Sequence, residues 1–297
     1  MAEIAGGLGL IRKAQPKDAD AIWDFLNPRR ATSMFLSGNL KDHGINTHGY
    51  TKANTVWLGM DKDRIAAVFG LTEYGYLVFE APSFRTEWAR QLCAQMSGRT
   101  IRGINGVWDQ FVKVREALGL TQATGAFDVR QPHYHLHLRA LIVPAGDSEL
   151  RVTQSRDLSF LREWRFAANV EVMSVPDTDV SRTLGSRYAE ELVQNGRGRV
   201  LFLDNVPVSM TAFNAVSGSC VQVGSVFTPH ELRGKGFARR AVALHLEEAR
   251  QDGINEAVLF AANDTAARAY EAIGFNKIGE YGIVDFLNPQ VILDIKR

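Results

Sequence analysis

The chain has 297 residues, room for two domains of ordinary size. Hydrophobic residues make up 45% and charged residues 23%, the balance of a globular protein with real cores. With 34 basic against 33 acidic residues the net charge is only +1, which excludes a general field for nucleic acid or a membrane surface, so any polyanion has to be recognised locally.

The opening "MAEIAGGLG" is Gly-rich and expected to pack loosely. Cys93 and Cys220 are the only cysteines, no apolar run approaches the roughly 18 residues of a membrane span, and no secretory pattern leads the sequence. A reducing, cytoplasmic location without a disulfide is the expectation.

Two segments repeat in order. "IRKAQPKDADAI" (11–22) aligns without gaps on "LRVTQSRDLSFL" (150–161), matching Arg12 with Arg151, Gln15 with Gln154 and Asp18 with Asp157. Each reads as a strand entering a helix, with Pro16 suited to the first turn and Ser155 or Asp157 to the cap. "TVWLGMDKDRIAAVFGL" (55–71) then echoes "RVLFLDNVPVSMTAFNA" (199–215), both in hairpin grammar. Two ordered echoes predict a tandem duplication, with its seam in the Pro, Gly, Asp and Ser cluster of "VPAGDSEL" (143–150).

In the second half the pattern predicts strands at 199–204 and 207–216 around an Asn205-Val206 turn. It continues with a strand at 220–228, a helix from about Arg233 to Gln251, a buried strand at 256–262, a helix at 264–273 and a final strand at 276–287. Ala238, Ala241, Leu244, Leu246 and Ala249 form the helix's apolar stripe. The strands at 220–228 and 256–262, joined by a helical crossover, should be parallel in an otherwise antiparallel sheet.

"TPHELRGKGFARR" (228–240) places Gly234 and Gly236 at the start of that helix among Arg233, Lys235, Arg239 and Arg240. Unpaired N–H groups and the positive dipole end of a helix, approached through residues without a Cβ, suit a pyrophosphate. The spacing is neither a dinucleotide fingerprint nor a P-loop, because no third glycine and no Gly-Lys-Ser/Thr follows.

"VGSVFTPHELRGKGFARRAVALHLEEA" with "VLFAANDTAARAYEAIGF" resembles the GNAT superfamily of N-acetyltransferases, which bind acetyl-CoA at an Arg/Gln-x-x-Gly-x-Gly/Ala turn. Arg233, Gly236 and Ala238 match that turn, and Gly234 and Lys235 are its variable pair. The resemblance is specific over about 199–286 and weak over the first half. It implies an α/β (α+β) fold of two tandem GNAT-like domains, each a mixed, mostly antiparallel sheet flanked by helices, at 1–146 and 147–297. It further implies acetyl-CoA as co-substrate, with backbone groups of Val226, Phe227 and Thr228 pairing with the pantetheine arm. Gly234 to Ala238, including Phe237, would hold the phosphates, Asn263 would contact the arm, and Tyr270 would protonate the departing thiolate. The first half has Pro82 near the corresponding place but no glycine turn, so it reads as a degenerate copy; mycothiol synthases have a similar tandem plan.

The expected reaction is acetyl transfer to a primary amine of a small molecule by direct attack, with peptide acetylation or CoA binding without turnover as alternatives. An amine of ordinary pKa near 10 has to lose a proton first. Alternation puts Cys220, Gln222 and Gly224 on one side of their strand and Val221, Val223 and Ser225 on the other, without a carboxylate. Glu171, Asp204 and His230 are candidate bases by residue type; Cys220 reads as a buried thiol and not a nucleophile. In "HYHLH", His133, His135 and His137 share a strand face, but residues two apart stand about 7 Å apart. With no carboxylate or cysteine beside them in sequence, a polar strand surface is favoured and no metal is expected.

Overall fold

The computed structural model describes residues 9–173 and 177–294; the Gly-rich opening, residues 1–8, lies outside them. The described residues form two compact units, divided at 130/131 and 279/280, the first combining the segments before 131 and after 279 and the second the segment between them. The first unit holds β1 (Leu10–Lys13), α1 (Ala19–Leu26), α2 (Arg30–His43), β2 (Asn54–Asp61), β3 (Arg64–Thr72), β4 (Tyr76–Glu80), α3 (Trp88–Met96), β5 (Thr100–Val107) and α4 (Trp108–Ala117). Strand β6 (Gly125–His137) leads into the second unit. That unit holds β7 (Glu149–Val152), α5 (Leu158–Met173), α6 (Asp179–Asn195), β8 (Gly198–Leu203), β9 (Val206–Ser217), β10 (Cys220–Phe227), α7 (Phe237–Gln251), β11 (Glu256–Phe260) and α8 (Asp264–Glu271), before β12 (Asn276–Val291) returns to the first.

The strand orders match: β1-β2-β3-β4-β5-β12 in one unit and β7-β8-β9-β10-β11-β6 in the other. In each, a single parallel pair, β4 with β5 or β10 with β11, interrupts antiparallel neighbours. The sixth strand of each unit comes from the other half of the sequence. The boundaries expected at 146/147 are therefore corrected to 130/131 and 279/280. A turn-rich segment marks a local loop, whereas the unit is set by β12 pairing with β5 and β6 with β11.

The sequence repeat is physical. Asp18 Oδ2 accepts the Gln15 N–H at 2.7 Å and Asp157 Oδ2 accepts the Gln154 N–H at 2.8 Å, so the same side chain closes both helix entries. The residue opening each of these entries is the glutamine, not Ser155. In the β8–β9 hairpin Asp204 and Asn205 both have left-handed φ (50° and 62°) and Leu203 pairs with Val206. The turn is thus Asp204-Asn205 and not Asn205-Val206, a two-residue connection whose twist matches its strands.

Helices cover both faces of the second unit's sheet. Val221, Val223, Val242, Leu246, Leu259 and Tyr270 pack on one side. Leu161, Ala168, Ala189, Met210 and Phe227 pack on the other. Each fully buried Val, Leu or Met among them contributes about 1.5–3 kcal/mol. The buried stripe of α7 departs from the sequence pattern: Ala241, Leu246 and Ala249 are buried as expected and Val242, Ala243 and His245 join them, whereas Ala238 and Leu244 are only half-buried.

Candidate acyl-transfer site

The parallel pairing of β10 with β11 runs through Cys220, Val221 and Gln222 and stops there, at Val258. Beyond it β10 continues to Phe227 and β11 to Phe260, so the strands part and leave a wedge. Local chemistry drives β10 aside. Its register against β9 shifts after Gln222 and again after Gly224, and Ser225 has a left-handed φ of 52°. These bulges break the simple alternation expected for 220–225. Tyr188 Oη donates to Asn214 Oδ1 at 2.9 Å and lies 2.9 Å from Ser225 Oγ, fixing the bulge. A Cβ at residue 224 would collide with the Asn214 side chain, so glycine here lets Asn214 keep its place beside Tyr188 and Ser225.

After Phe227 the chain makes a short 3-10 turn, His230–Leu232, and Arg233 is extended. Gly234 (φ 77°) and Gly236 (φ 81°) are left-handed, and α7 begins at Phe237. The helix start expected at Arg233 is corrected to Phe237, because two left-handed residues cannot propagate a right-handed helix. No side chain caps α7, so the N–H groups of Phe237, Ala238 and Arg239 lack intrahelical partners. A Cβ at Gly234 would meet nothing within 4 Å, so the space before this turn is open.

The cationic side chains divide into braces and free ends. Arg240 Nε donates to Ser148 Oγ at 2.6 Å, and its other nitrogens donate to the carbonyls of Pro144, Gly146 and Ser148. Arg233 Nε donates to the Thr228 carbonyl at 2.9 Å and its terminal nitrogen pairs with Glu171, while the guanidinium lies 5.7 Å from the Phe227 ring centre. Lys235 and Arg239 are exposed. Thr228 Oγ1 lies 2.9 Å from Ser209 Oγ, and Val226 is half-buried against the apolar core.

Tyr270 is buried in the core beside the wedge, edge-on to Phe275, and burial pushes its phenol up to about 12. It therefore holds its proton at neutral pH. Asn263 is exposed and caps α8, its Oδ1 accepting the Ala266 N–H at 2.9 Å. Its amide nitrogen makes no hydrogen bond among the described residues and is available to another partner.

A cleft of about 490 Å³ lies between α5, the start of α6 and the end of β10. Trp164, Phe166 and Phe227 wall it, Trp164 standing 6.0 Å from Phe227 between ring centres. His230 and four carboxylates line it. Glu171 is paired with Arg233 and Asp177 with Arg182, whereas Glu163 and Glu231 make no ion pair among the described residues. The sequence reading missed this wall, although positions 163, 164, 167, 170 and 171 repeat at helical spacing along α5. Of the candidate bases, Glu171 is engaged, Asp204 sits on a hairpin tip, and His230 faces the cleft. Cys220 is a buried thiol on β10.

The first unit repeats the wedge and closes it. Pairing of β4 with β5 ends at Val78 and Asn105. Just beyond, Gln110 Oε1 accepts the Ala81 N–H at 2.6 Å and Gln110 Nε2 donates to Glu80 Oε1 at 3.1 Å. Burial raises the Glu80 carboxyl pKa, opposed by hydrogen bonds from Thr32 and Gln110. The stretch from Ala81 to Trp88 contains no glycine.

Residues 159–275 match the model of the acetyltransferase (GNAT) family. The acetyltransferase Atu2258 of Agrobacterium fabrum is 38% identical over 77 residues, 23% of this chain and 56% of that protein, so the match spans about half of that relative's length. A GNAT-family acetyltransferase from Colwellia psychrerythraea has the same fold with 12% identity and a TM-score of 0.54, over 93% of this chain and 99% of the other. A tandem GNAT protein from the clavulanic acid biosynthesis pathway aligns over 93% and 98% of the two chains at 14% identity, with a TM-score of 0.50. Among the described residues no helix is long and apolar enough to cross a membrane.

Proposed function

We propose that the half of the chain whose residues 159–275 match the acetyltransferase (GNAT) family model moves an acetyl group from acetyl-CoA to a primary amine of a small molecule by direct attack. The observation that carries the reading is the parted β10–β11 pair leading into an uncapped helix through two left-handed glycines. Acetyl-CoA supplies an activated thioester on a long arm bearing amides and a pyrophosphate. Backbone groups of Val226, Phe227 and Thr228 take the amides, a row of donors and acceptors meeting another. N–H groups from Gly236 to Arg239 take the pyrophosphate, with Lys235 adding charge. Arg233 acts as a brace of the turn through Thr228, and Asn263 offers its amide nitrogen to the arm.

Tyr270 donates a proton towards the departing sulfur; a phenol held near 12 is a donor throughout the neutral range. His230 faces the cleft and accepts the proton that the amine must lose, directly or through water. The aromatic walls suit an apolar body on the acceptor. Glu163 and Glu231, uncompensated among the described residues, suit positive charge on it. The first unit serves as a supporting copy without CoA, because Gln110 occupies its wedge.

The test is free-thiol release from acetyl-CoA with cationic amines, neutral amines and peptides, alongside calorimetry of acetyl-CoA binding. Turnover with small cationic amines is expected. Absence of binding heat overturns the reading of the site, and turnover with peptides alone overturns the small-molecule acceptor.

A further inference from the structure

We propose that His135, His137 and Glu256 form a binding site for one divalent transition-metal ion, a clamp between β6 and β11. Alternation on β6 sends Tyr134 and Leu136 into the core, which leaves His133, His135 and His137 on the opposite face. Residues two apart on a strand are poorly spaced for a single ion. The structure answers this in two ways. The His135 and His137 rings turn towards each other, with centres 4.6 Å apart and planes at 88°. The missing carboxylate arrives from the neighbouring strand, because Glu256 pairs directly with His137 while Val258 pairs with His135.

Glu256 Oε2 lies 2.8 Å from His135 Nε2, and one ligand atom from each of the three residues lies within 4.8 Å of the others. Ligand atoms around one tetrahedral ion at about 2.1 Å stand roughly 3.4 Å apart, so the His135–Glu256 pair must open by about half an ångström and the widest pair close by up to about 1.4 Å. His137 is exposed and His135 and Glu256 half-buried, which leaves side-chain freedom for that closure and an open side where water completes the coordination. His133 takes no part: it is buried against Phe260, ring centres 5.0 Å apart.

Two imidazoles with one carboxylate select zinc, cobalt, nickel or copper over magnesium and calcium, whose shells demand oxygen. The site has no role in transfer. Tyr270 packs among Tyr134, Leu136 and Leu259, on the face opposite the histidines. A metal here ties the strand that supports β11, and β11 leads directly into Asn263 and α8. Stabilisation of the second unit is the consequence, since an ion bound only by the folded state adds its binding free energy to folding.

The experiment uses untagged, chelator-dialysed full-length protein titrated with zinc chloride against a chromophoric chelator, with thermal unfolding in parallel. One equivalent should bind with a dissociation constant of about 10 µM or tighter, as is needed for a rise in melting temperature at modest excess zinc. His137→Gln removes an exposed side chain and should weaken binding by at least the roughly tenfold that loss of a mere supporting partner costs. Glu256→Gln should do the same. His48→Gln is the control: His48 and Glu73 form a surface pair at 2.6 Å outside the three-residue cluster, and its loss should change nothing. Substoichiometric binding, or binding equally strong in His137→Gln, overturns the proposal. Acetyl-CoA affinity should be the same in all these proteins, so the result stands or falls apart from the transfer reaction.

Discussion

Gln110 Oε1 receives the backbone N–H of Ala81 at 2.6 Å, at the place in the first unit where β4 has just parted from β5. The equivalent parting in the second unit follows Gln222 and Val258, and there Asn263, the residue before α8, caps its own helix. The amide of Gln110 thus reaches back to the strand end before it, whereas that of Asn263 is turned to its own helix. Gln110→Ala should strand the buried Ala81 N–H and destabilise the first unit by about 1–3 kcal/mol in denaturant titration. Acetyl-CoA affinity should be unchanged by calorimetry; a clear change would show that the first unit contributes to binding.

Gly236→Asp puts a carboxylate at an uncapped helix start and a Cβ at a φ of 81°. The dissociation constant of acetyl-CoA should rise by about tenfold or more. Gly234→Ala is the companion, because its Cβ meets no protein atom within 4 Å. It should also weaken binding, by filling the space that the ligand needs. Thermal unfolding of both variants separates this from general instability, and unaltered affinity in both removes the phosphate assignment.

Tyr270→Phe keeps the ring in its core and deletes the hydroxyl. Turnover should fall by about a hundredfold, with acetyl-CoA affinity nearly the same. Because burial holds the phenol near 12, the wild-type pH–rate profile should show no loss from this group below about pH 10. Full turnover in the variant would strip Tyr270 of the donor role.

Glu163→Gln and Glu231→Gln test the acceptor's charge. Each should raise KM for a diamine severalfold and alter KM for a monoamine less, and the difference should shrink with added salt as surface fields are screened. Equal effects on both amines, or salt-independent ones, would mean that these carboxylates do not read charge.

The paired repeats differ in one testable respect. Arg12 donates to Asp18 through both terminal nitrogens, at 2.7 and 2.8 Å, and this pairing first, then the Gln15 N–H, draws the Asp18 carboxyl down to about 2. Arg151, its counterpart, pairs with Glu149 and Asn205 instead. A depressed acid stabilises the folded state above its unfolded pKa, near 3.9, and that contribution vanishes as pH falls towards 2. Asp18→Asn should therefore cost about 1 kcal/mol at pH 7, where the charge that pairs with Arg12 is lost while the asparagine Oδ1 can still accept the Gln15 N–H, and progressively less below about pH 4. A deficit that stays constant with pH would show that only the hydrogen-bond geometry matters.

Local chemistry wrote much of this molecule into its sequence. The paired helix entries with their matched Asp18 and Asp157, the existence of the hairpins and the glycine turn at 234–236 were legible, because each rests on residues a few positions apart, although the glutamines that open the entries and the exact Asp204-Asn205 turn were not. Even so, the first helical residue of α7 shifted from Arg233 to Phe237, since φ at the two glycines is chosen by the turn as a whole. Tertiary pairing decided everything that depends on residues far apart. It exchanged the sixth strands and so moved the unit boundary from 146 to 130, and it engaged Arg233 and Arg240 as braces. It also closed one wedge with Gln110, and it carried Glu256 across to two histidines 119 or more positions away (256 − 137 = 119). A sequence pattern records which face a side chain takes along its own strand; which strand lies next to it is settled only when the sheets bury their apolar faces together.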